Sequence, residues 1–519
     1  MRITRLVACR LVVGLLVGFV GPVAAGGDLY TVTLPEGVRD TPVSGRLLLH
    51  FIDANEPSLS RSSPIDAPFY ESPQPLAGID VTDLAPGGSV VIDGGAMAWP
   101  GSVDGLDGRY RVQVLLDQDD TERSRLEGPG NLYSDVMEVD VSSARDEAFT
   151  FTLSHVIAGP DVPSENDFFR IARLRSPMLS AFAGHDVDHI AGIALPAGYH
   201  DPANADRHWP ATYVVPGFGG RYTEARRYAR VQQLGTGGLR PDTIIIVLDP
   251  EAPLGHHGFV DSENNGPRGR ALVEEFIPYL ESQYRLIPES AARIVTGHSS
   301  GAWSSLWLAT HWPETFGACW ASSPDPVDFR AFQRTNLYTD ASMYETDGGE
   351  PTPSYRAPGR DGTPVVRMTV RVEAAIERVL GPDGRSGEQW AAWDAMFSPR
   401  DPATGLPKPM FDRVTGRIDP DVVSVWRARD LAAQLVADWD LYGALFEDRI
   451  RLACGELDSF YLDGGVRLLA DRIRQRRSHP ERSGSGYVWL IPRATHNVAA
   501  ATTMRWLAEQ KRYLADHGW

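Results

Sequence analysis

Ala291-Ala292-Arg293-Ile294-Val295, continued through Thr296 into Gly297-His298-Ser299-Ser300-Gly301, is the stretch whose reading decides the fold. An apolar run, a G-x-S-x-G turn and the helix-like segment Ala302 to Thr310 give a strand, a pinched turn and a helix, the outline of a nucleophile elbow. The chemistry requires that shape. A serine lifted on a sharp turn meets substrate, while the backbone N–H of the next residue points at the developing oxyanion. Glycines two positions before and two after leave room for the turn. The competing reading is a serine-rich helix N-terminus capped by Ser299, and only the surroundings of the pentapeptide separate the two.

A chain of 519 residues exceeds one ordinary domain and suggests two or three. Hydrophobic residues at 42% and charged residues at 23% give the balance of a globular protein, and no segment after the N-terminus has the apolar length to span a bilayer. A formal net charge of −18 argues against a nucleic-acid or anionic-membrane partner, since both need a basic patch. Residues 1–25 read as a secretory signal peptide: Arg2, Arg5 and Arg10, then the apolar Leu11 to Val20, then the small-residue site Val23-Ala24-Ala25. A secreted or periplasmic protein is expected. Cleavage removes Cys9, leaving Cys319 and Cys454 where disulfides can persist, although their places on neighbouring predicted strands favour two buried free thiols.

Residues 26–158 alternate apolar and polar positions between turn clusters, as in Val43 to Phe51, Tyr110 to Val114 and Phe149 to Leu153. Short strands at this spacing predict an antiparallel β-sandwich, immunoglobulin-like in type. After a polar linker the pattern changes. From residue 168 to 519 apolar strands alternate with helices: Ile190 to Leu195, Thr212 to Val215, the near-continuous Thr243 to Leu248, the amphipathic helix Leu272 to Tyr284, then Phe316 to Ser322, Arg449 to Cys454 and Tyr487 to Ile491. This predicts an α/β fold built on a doubly wound, mostly parallel sheet. The interval between Ser322 and Arg449 is far longer than a crossover helix needs, so residues 324–448 are expected to hold a lid-like insertion. Its Asp340 to Pro364 part reads as irregular, and Arg371 to Leu380 and Val422 to Leu445 as helical. Trp390, Trp393, Trp426 and Trp439 punctuate it, either as packing residues or as walls of a pocket.

A serine hydroxyl needs a general base, and the base needs a carboxylate to orient it. In an elbow fold the order along the chain is serine, acid, histidine. Gly455-Glu456-Leu457-Asp458 follows the strand Arg449 to Cys454, and Asp458, deeper in the loop, is preferred to Glu456 and Asp463. His496 directly follows the last strand; His479 precedes it, His517 lies in the tail, and His298 inside the elbow is expected to pack or point away. Of the two oxyanion donors, Ser300 supplies one. Pro216-Gly217-Phe218-Gly219-Gly220, after the strand Thr212 to Val215, supplies the other, with Phe218 preferred. That loop lacks the lysine and Ser/Thr of a phosphate cradle. Asp249-Pro250 and Asp261 to Gly266 occupy loops near the predicted site and read as structural.

With these parts assembled, the C-terminal two-thirds of the chain resembles the esterase D or enterochelin-esterase-like branch of the α/β-hydrolases. The resemblance rests on Val215-Pro216-Gly217-Phe218-Gly219-Gly220, Gly297 to Gly301, Gly455-Glu456-Leu457-Asp458-Ser459-Phe460-Tyr461 and Ala494-Thr495-His496. It implies Ser299 as nucleophile, Asp458 as acid, His496 as base, and Phe218 with Ser300 as oxyanion donors. The long insertion departs from that pattern, so the family's substrates do not transfer. The expected activity is hydrolysis of a small-molecule or polymer-linked carboxylic ester through an acyl-enzyme, with no cofactor and no metal. The alternatives are an acyltransferase on the same residues and a non-catalytic secreted binding protein on a hydrolase scaffold.

Overall fold

The computed structural model describes residues 28–519 except Arg145, residues 236–237 and residues 477–484. The predicted signal peptide, Cys9 and His479 lie outside the described residues.

Eight strands form the central sheet: β1 (Phe169–Arg175), β2 (Asp188–Ala194), β3 (Ala211–Val215), β4 (Ile244–Leu248), β5 (Arg293–His298), β6 (Ala318–Ser322), β7 (Ile450–Gly455) and β8 (Tyr487–Ile491). Their spatial order is β1-β2-β4-β3-β5-β6-β7-β8. β2 runs antiparallel to both β1 and β4, and every other neighbouring pair is parallel. Strands such as β4, Ile-Ile-Ile-Val-Leu, are buried along their whole length because helices and the insertion cover both faces. Cys319 on β6 and Cys454 on β7 are buried and unbridged. Among the described residues no helix is long and apolar enough to cross a membrane.

The insertion is not a detached flap. Phe329, Phe332, Trp390, Trp393, Phe397 and Trp426 belong to the same hydrophobic core as the sheet. The rings interlock edge-on, Trp390 with Trp393 at 4.8 Å and Phe397 with Trp426 at 5.2 Å. Contacts of this kind contribute about 0.5–1.5 kcal/mol each beyond area burial. Phe397 also meets Trp303 of the helix Ser300–His311 at 5.0 Å, so the insertion packs on the elbow helix itself. That helix is buried on all sides from Ser300 to Thr310, as a helix apolar around its circumference must be.

The insertion differs from its sequence pattern in one respect. The segment predicted as irregular contains a hairpin, Pro353–Pro358 with Pro364–Thr369. The span Val422 to Leu445 is helical as expected, divided into three helices: Pro420–Trp426, Leu431–Ala437 and Trp439–Asp448. The side chains of Asp430 and Asp438 accept the N–H groups of Ala433 and Leu441, so each starts a new helix instead of continuing the last.

Residues 28–157 form a three-stranded and a seven-stranded sheet that share one core, including Tyr30, Val32 and Phe151 from the first and Leu47, Leu49, Val112 and Val114 from the second. The pairing is antiparallel throughout except between Leu29–Thr33 and Ala148–Thr152, which run parallel, a departure from the all-antiparallel expectation. The reason for the consecutive Leu47-Leu48-Leu49 is visible here. Leu47 and Leu49 face the shared core, whereas Leu48 faces Ile376, Val379 and Leu380 of the insertion helix Val370–Leu380. The insertion thus lies between the central sheet and the β-domain and is buried against both.

Candidate active site

Ser299 sits between β5 and the helix Ser300–His311 with φ 59° and ψ −130°, a region L-residues occupy at a cost of about 1–3 kcal/mol. The neighbouring glycines make the turn possible by proximity. A Cβ on Gly297 would lie 2.2 Å from the carbonyl oxygen of Gly301, and one on Gly301 would lie 2.0 Å from that of Val215. The strained residue is pinned by a hydrogen bond from its own N–H to the Ser322 carbonyl at 3.0 Å. Ser300 opens the helix, so its N–H has no acceptor within the helix.

Asp458 follows β7 and His496 follows β8, and adjacent parallel strands bring the two loops together. Leu457 N–H donates to the Ala494 carbonyl at 2.9 Å, and a Cβ on Gly455 would lie 2.1 Å from the Thr495 carbonyl oxygen. His496 Nδ1 is 2.8 Å from Asp458 Oδ2. The other carboxylate oxygen accepts the N–H groups of Phe460 at 2.9 Å and Leu462 at 3.4 Å. Burial opposes ionisation of Asp458, but the imidazole and these N–H groups outweigh it and hold the carboxyl below its ordinary range. Burial likewise opposes protonation of His496, and Asp458 outweighs that too, raising the imidazole above 6.5. Glu456 instead stands 3.8 Å from Arg467, and Asp463 pairs with Arg356 at 3.0 Å.

Ser299 and His496 line one cavity of about 280 Å³ together with Gly217, Phe218 and His298. Gly217 passes so close that a Cβ there would lie 3.3 Å from Ser299 Cβ. His298 does not point away: its ring is 4.6 Å from that of His496, and Nδ1 meets Ser322 Oγ at 3.0 Å.

The rest of the wall comes from the insertion, the loop after β6 and the β-domain. Trp393 joins it, so this insertion tryptophan both packs and faces the cavity, whereas Trp390 and Trp426 only pack. Asp325, 3% exposed, accepts Trp393 Nε1–H at 2.9 Å, and burial pushes its carboxyl up to about 6. It stands just beyond β6, so the rule that seeks acids at the carboxyl ends of strands could have found it. Tyr70 comes from the N-terminal β-domain, packs edge-on against Phe460 at 5.1 Å and lines the same cavity; no local signal marks it. The β-domain also braces the Phe218 loop. Arg123 lies over the Phe218 ring at 4.7 Å and pairs with Glu251, while Arg221 pairs with Glu122 at 2.7 Å and Glu127 at 2.9 Å.

A sheet in this strand order, with a serine on an elbow after β5, defines an α/β-hydrolase. Residues 186–407, less than half of the chain, match the family model Esterase, described as "Putative esterase", and the protein is a carboxylic-ester hydrolase of the α/β-hydrolase type. The matched stretch contains Phe218 and Ser299 and ends before Asp458. Among solved structures the chain is similar to a ferulic acid esterase (14% identity, 67% of this chain and 100% of that one, TM-score 0.39). It is also similar to an S-formylglutathione hydrolase from Agrobacterium tumefaciens (13% identity, 69% and 97%, TM-score 0.36). No curated protein matches the sequence.

Proposed function

We propose that the protein is an exported serine esterase working through an acyl-enzyme, with Ser299 as nucleophile, His496 as general base and Asp458 as the acid that orients it. Ser299 Oγ attacks the ester carbonyl carbon as its proton passes to His496 Nε2, the ring nitrogen left free by the Nδ1 contact with Asp458. The carbonyl oxygen becomes an oxyanion facing the N–H groups of Phe218 and Ser300. Collapse breaks the bond to the alkoxide, which leaves as an alcohol with the proton from His496. Water, deprotonated by the same imidazole, then attacks the acyl-enzyme, releasing the carboxylic acid and restoring Ser299.

The observation that carries this reading is the common cavity: a serine at positive φ and a histidine bonded to a buried carboxylate both open onto it. In this proposal the N-terminal sandwich acts as part of the substrate wall through Tyr70. A fluorophosphonate probe should label the wild type and leave Ser299→Ala unlabelled; an unlabelled wild type would favour the non-catalytic binding protein. Export is tested by N-terminal sequencing of the protein from culture medium or periplasm, which should begin near Gly26.

A further inference from the structure

A second and larger cavity, of about 720 Å³, opens between the start of β2, the end of β4 and the segment 264–276. Its chemistry differs from that of the serine site. Arg268 projects into it with Nε donating to the Asn265 carbonyl at 3.0 Å, and among the described residues no carboxylate forms an ion pair with it. Apart from the exposed Asp120, the acids around the cavity are already engaged. Asp249 and Glu122 pair with Arg221 at 3.1 Å and 2.7 Å, Asp188 with Arg173 at 3.2 Å and with Arg175 at 2.5 Å, and Glu251 with Arg123. Asp249, committed to Arg221, acts on Arg268 only at longer range, so the guanidinium at the inner end has no ion-pair partner of its own; burial pulls it down to about 10 and it stays charged at neutral pH.

Buried polar atoms around Arg268 also lack partners. Asn265 is 6% exposed and its Nδ2 has no acceptor, although it lines the cavity. His189 is 7% exposed, and its Nε2, 3.6 Å from Glu275, makes no hydrogen bond. A buried polar group left without a partner is unfavourable unless water or a ligand meets it. The opposite wall is apolar, with Leu179, Phe259 and Phe276. Phe276 stacks on His189 with ring centroids 4.9 Å apart and planes at 8°. It ends a π-helical turn, Leu272–Phe276, set between the α-helical segments Arg268–Ala271 and Ile277–Gln283; such turns recur at functional sites.

From the unpaired Arg268, the orphaned Asn265 amide and the apolar wall, we infer that this cavity binds an organic carboxylate. The guanidinium takes the two carboxylate oxygens as a fork, the Asn265 N–H₂ reaches one of them, and the body of the ligand lies against Phe259 and Phe276. An inorganic anion would satisfy the charge and leave the apolar wall bare. The site is separate from Ser299 and does not depend on its chemistry.

Calorimetric titration of the full-length protein with benzoate and octanoate tests the inference, with benzamide and inorganic phosphate as comparison ligands. At least one carboxylate should bind, at least tenfold more tightly than benzamide or phosphate. Ser299→Ala should leave that binding unchanged, and Arg268→Gln should weaken it at least tenfold. Asn265→Asp, which sets a carboxylate beside the guanidinium without removing it, should weaken it similarly and keeps the test open if Arg268→Gln does not fold. No binding of either carboxylate, equal binding of phosphate, or affinity unchanged in both site variants would overturn the assignment.

Discussion

The hydroxyl of Tyr70, in the N-terminal β-domain, donates to Glu373 of the insertion at 3.1 Å, and both residues line the cavity that holds Ser299. The pair joins two parts of the chain at the wall of the site. Burial pushes the Glu373 carboxyl up to about 7, so much of it is protonated at neutral pH. Tyr70→Ala should open that wall and raise KM for bulky esters about tenfold, roughly 1.4 kcal/mol of lost binding, while kcat on 4-nitrophenyl acetate changes little. Steady-state kinetics on the two ester sizes check this, and an equal loss in kcat on both would place Tyr70 in the chemistry instead.

The acid assignment separates two neighbouring carboxylates. Asp458→Asn should reduce kcat by about 10³–10⁴-fold, because the imidazole loses the partner that sets its tautomer. Glu456→Gln should change it little, since Glu456 only faces Arg467 across 3.8 Å. A larger loss in the glutamate variant would reverse the assignment.

The direction of the His496 shift sets a pH profile. On the proposed assignment His496 must be neutral to accept the serine proton; burial lowers its pKa, and Asp458, with a smaller contribution from Asp325, outweighs that and holds it above 6.5. His298 faces the same ring from the elbow. The kcat/KM should therefore rise with pH along an acid limb centred above 6.5, and residual activity in Asp458→Asn should show that limb at lower pH. A limb unmoved in the variant would assign it to another group.

At the elbow, Gly301→Ala places a methyl 2.0 Å from the Val215 carbonyl, at the end of β3, and 2.4 Å from that of Pro216, and the first cannot move without disturbing β3. The variant should lose about 1–3 kcal/mol of stability or more by urea unfolding, together with its reactivity toward the fluorophosphonate.

If the insertion is integral to the core, Trp426→Ala should cost about 3–5 kcal/mol. The indole is fully buried, and its N–H donates to Ser398 Oγ at 2.8 Å, so truncation leaves a void and removes the donor that hydroxyl accepts. A detached lid would lose almost nothing in thermal unfolding.

What could be read from the chain alone was whatever is local or repeats along it. Ile244 to Leu248 announces a strand buried on both faces, and the order of strands and loops puts Asp458 and His496 side by side. The helix Leu272 to Tyr284 was legible too, but not its start at Arg268 or its π-helical turn, because burial against β2 and the second cavity, not periodicity, decides them. Tyr70 was invisible for the same kind of reason. It sits in a Pro- and Ser-rich loop of the β-domain, and only the docking of that domain on the insertion carries it to the cavity. The helical character of Val422 to Leu445 is legible, and Asp430 and Asp438, both cap-forming residues, are what divide it into separate helices.

The wall of the serine cavity takes Tyr70 from near one end of the chain and His496 from near the other. Contacts this remote in sequence form late, after the intervening loops have closed. On the proposed assignment, a chain still being synthesised carries Ser299 as an ordinary, unactivated hydroxyl until the final strand and its histidine join the sheet. Hydrolytic power is thereby tied to completion of the fold: an unfinished or truncated molecule threatens no ester in the compartment that makes it.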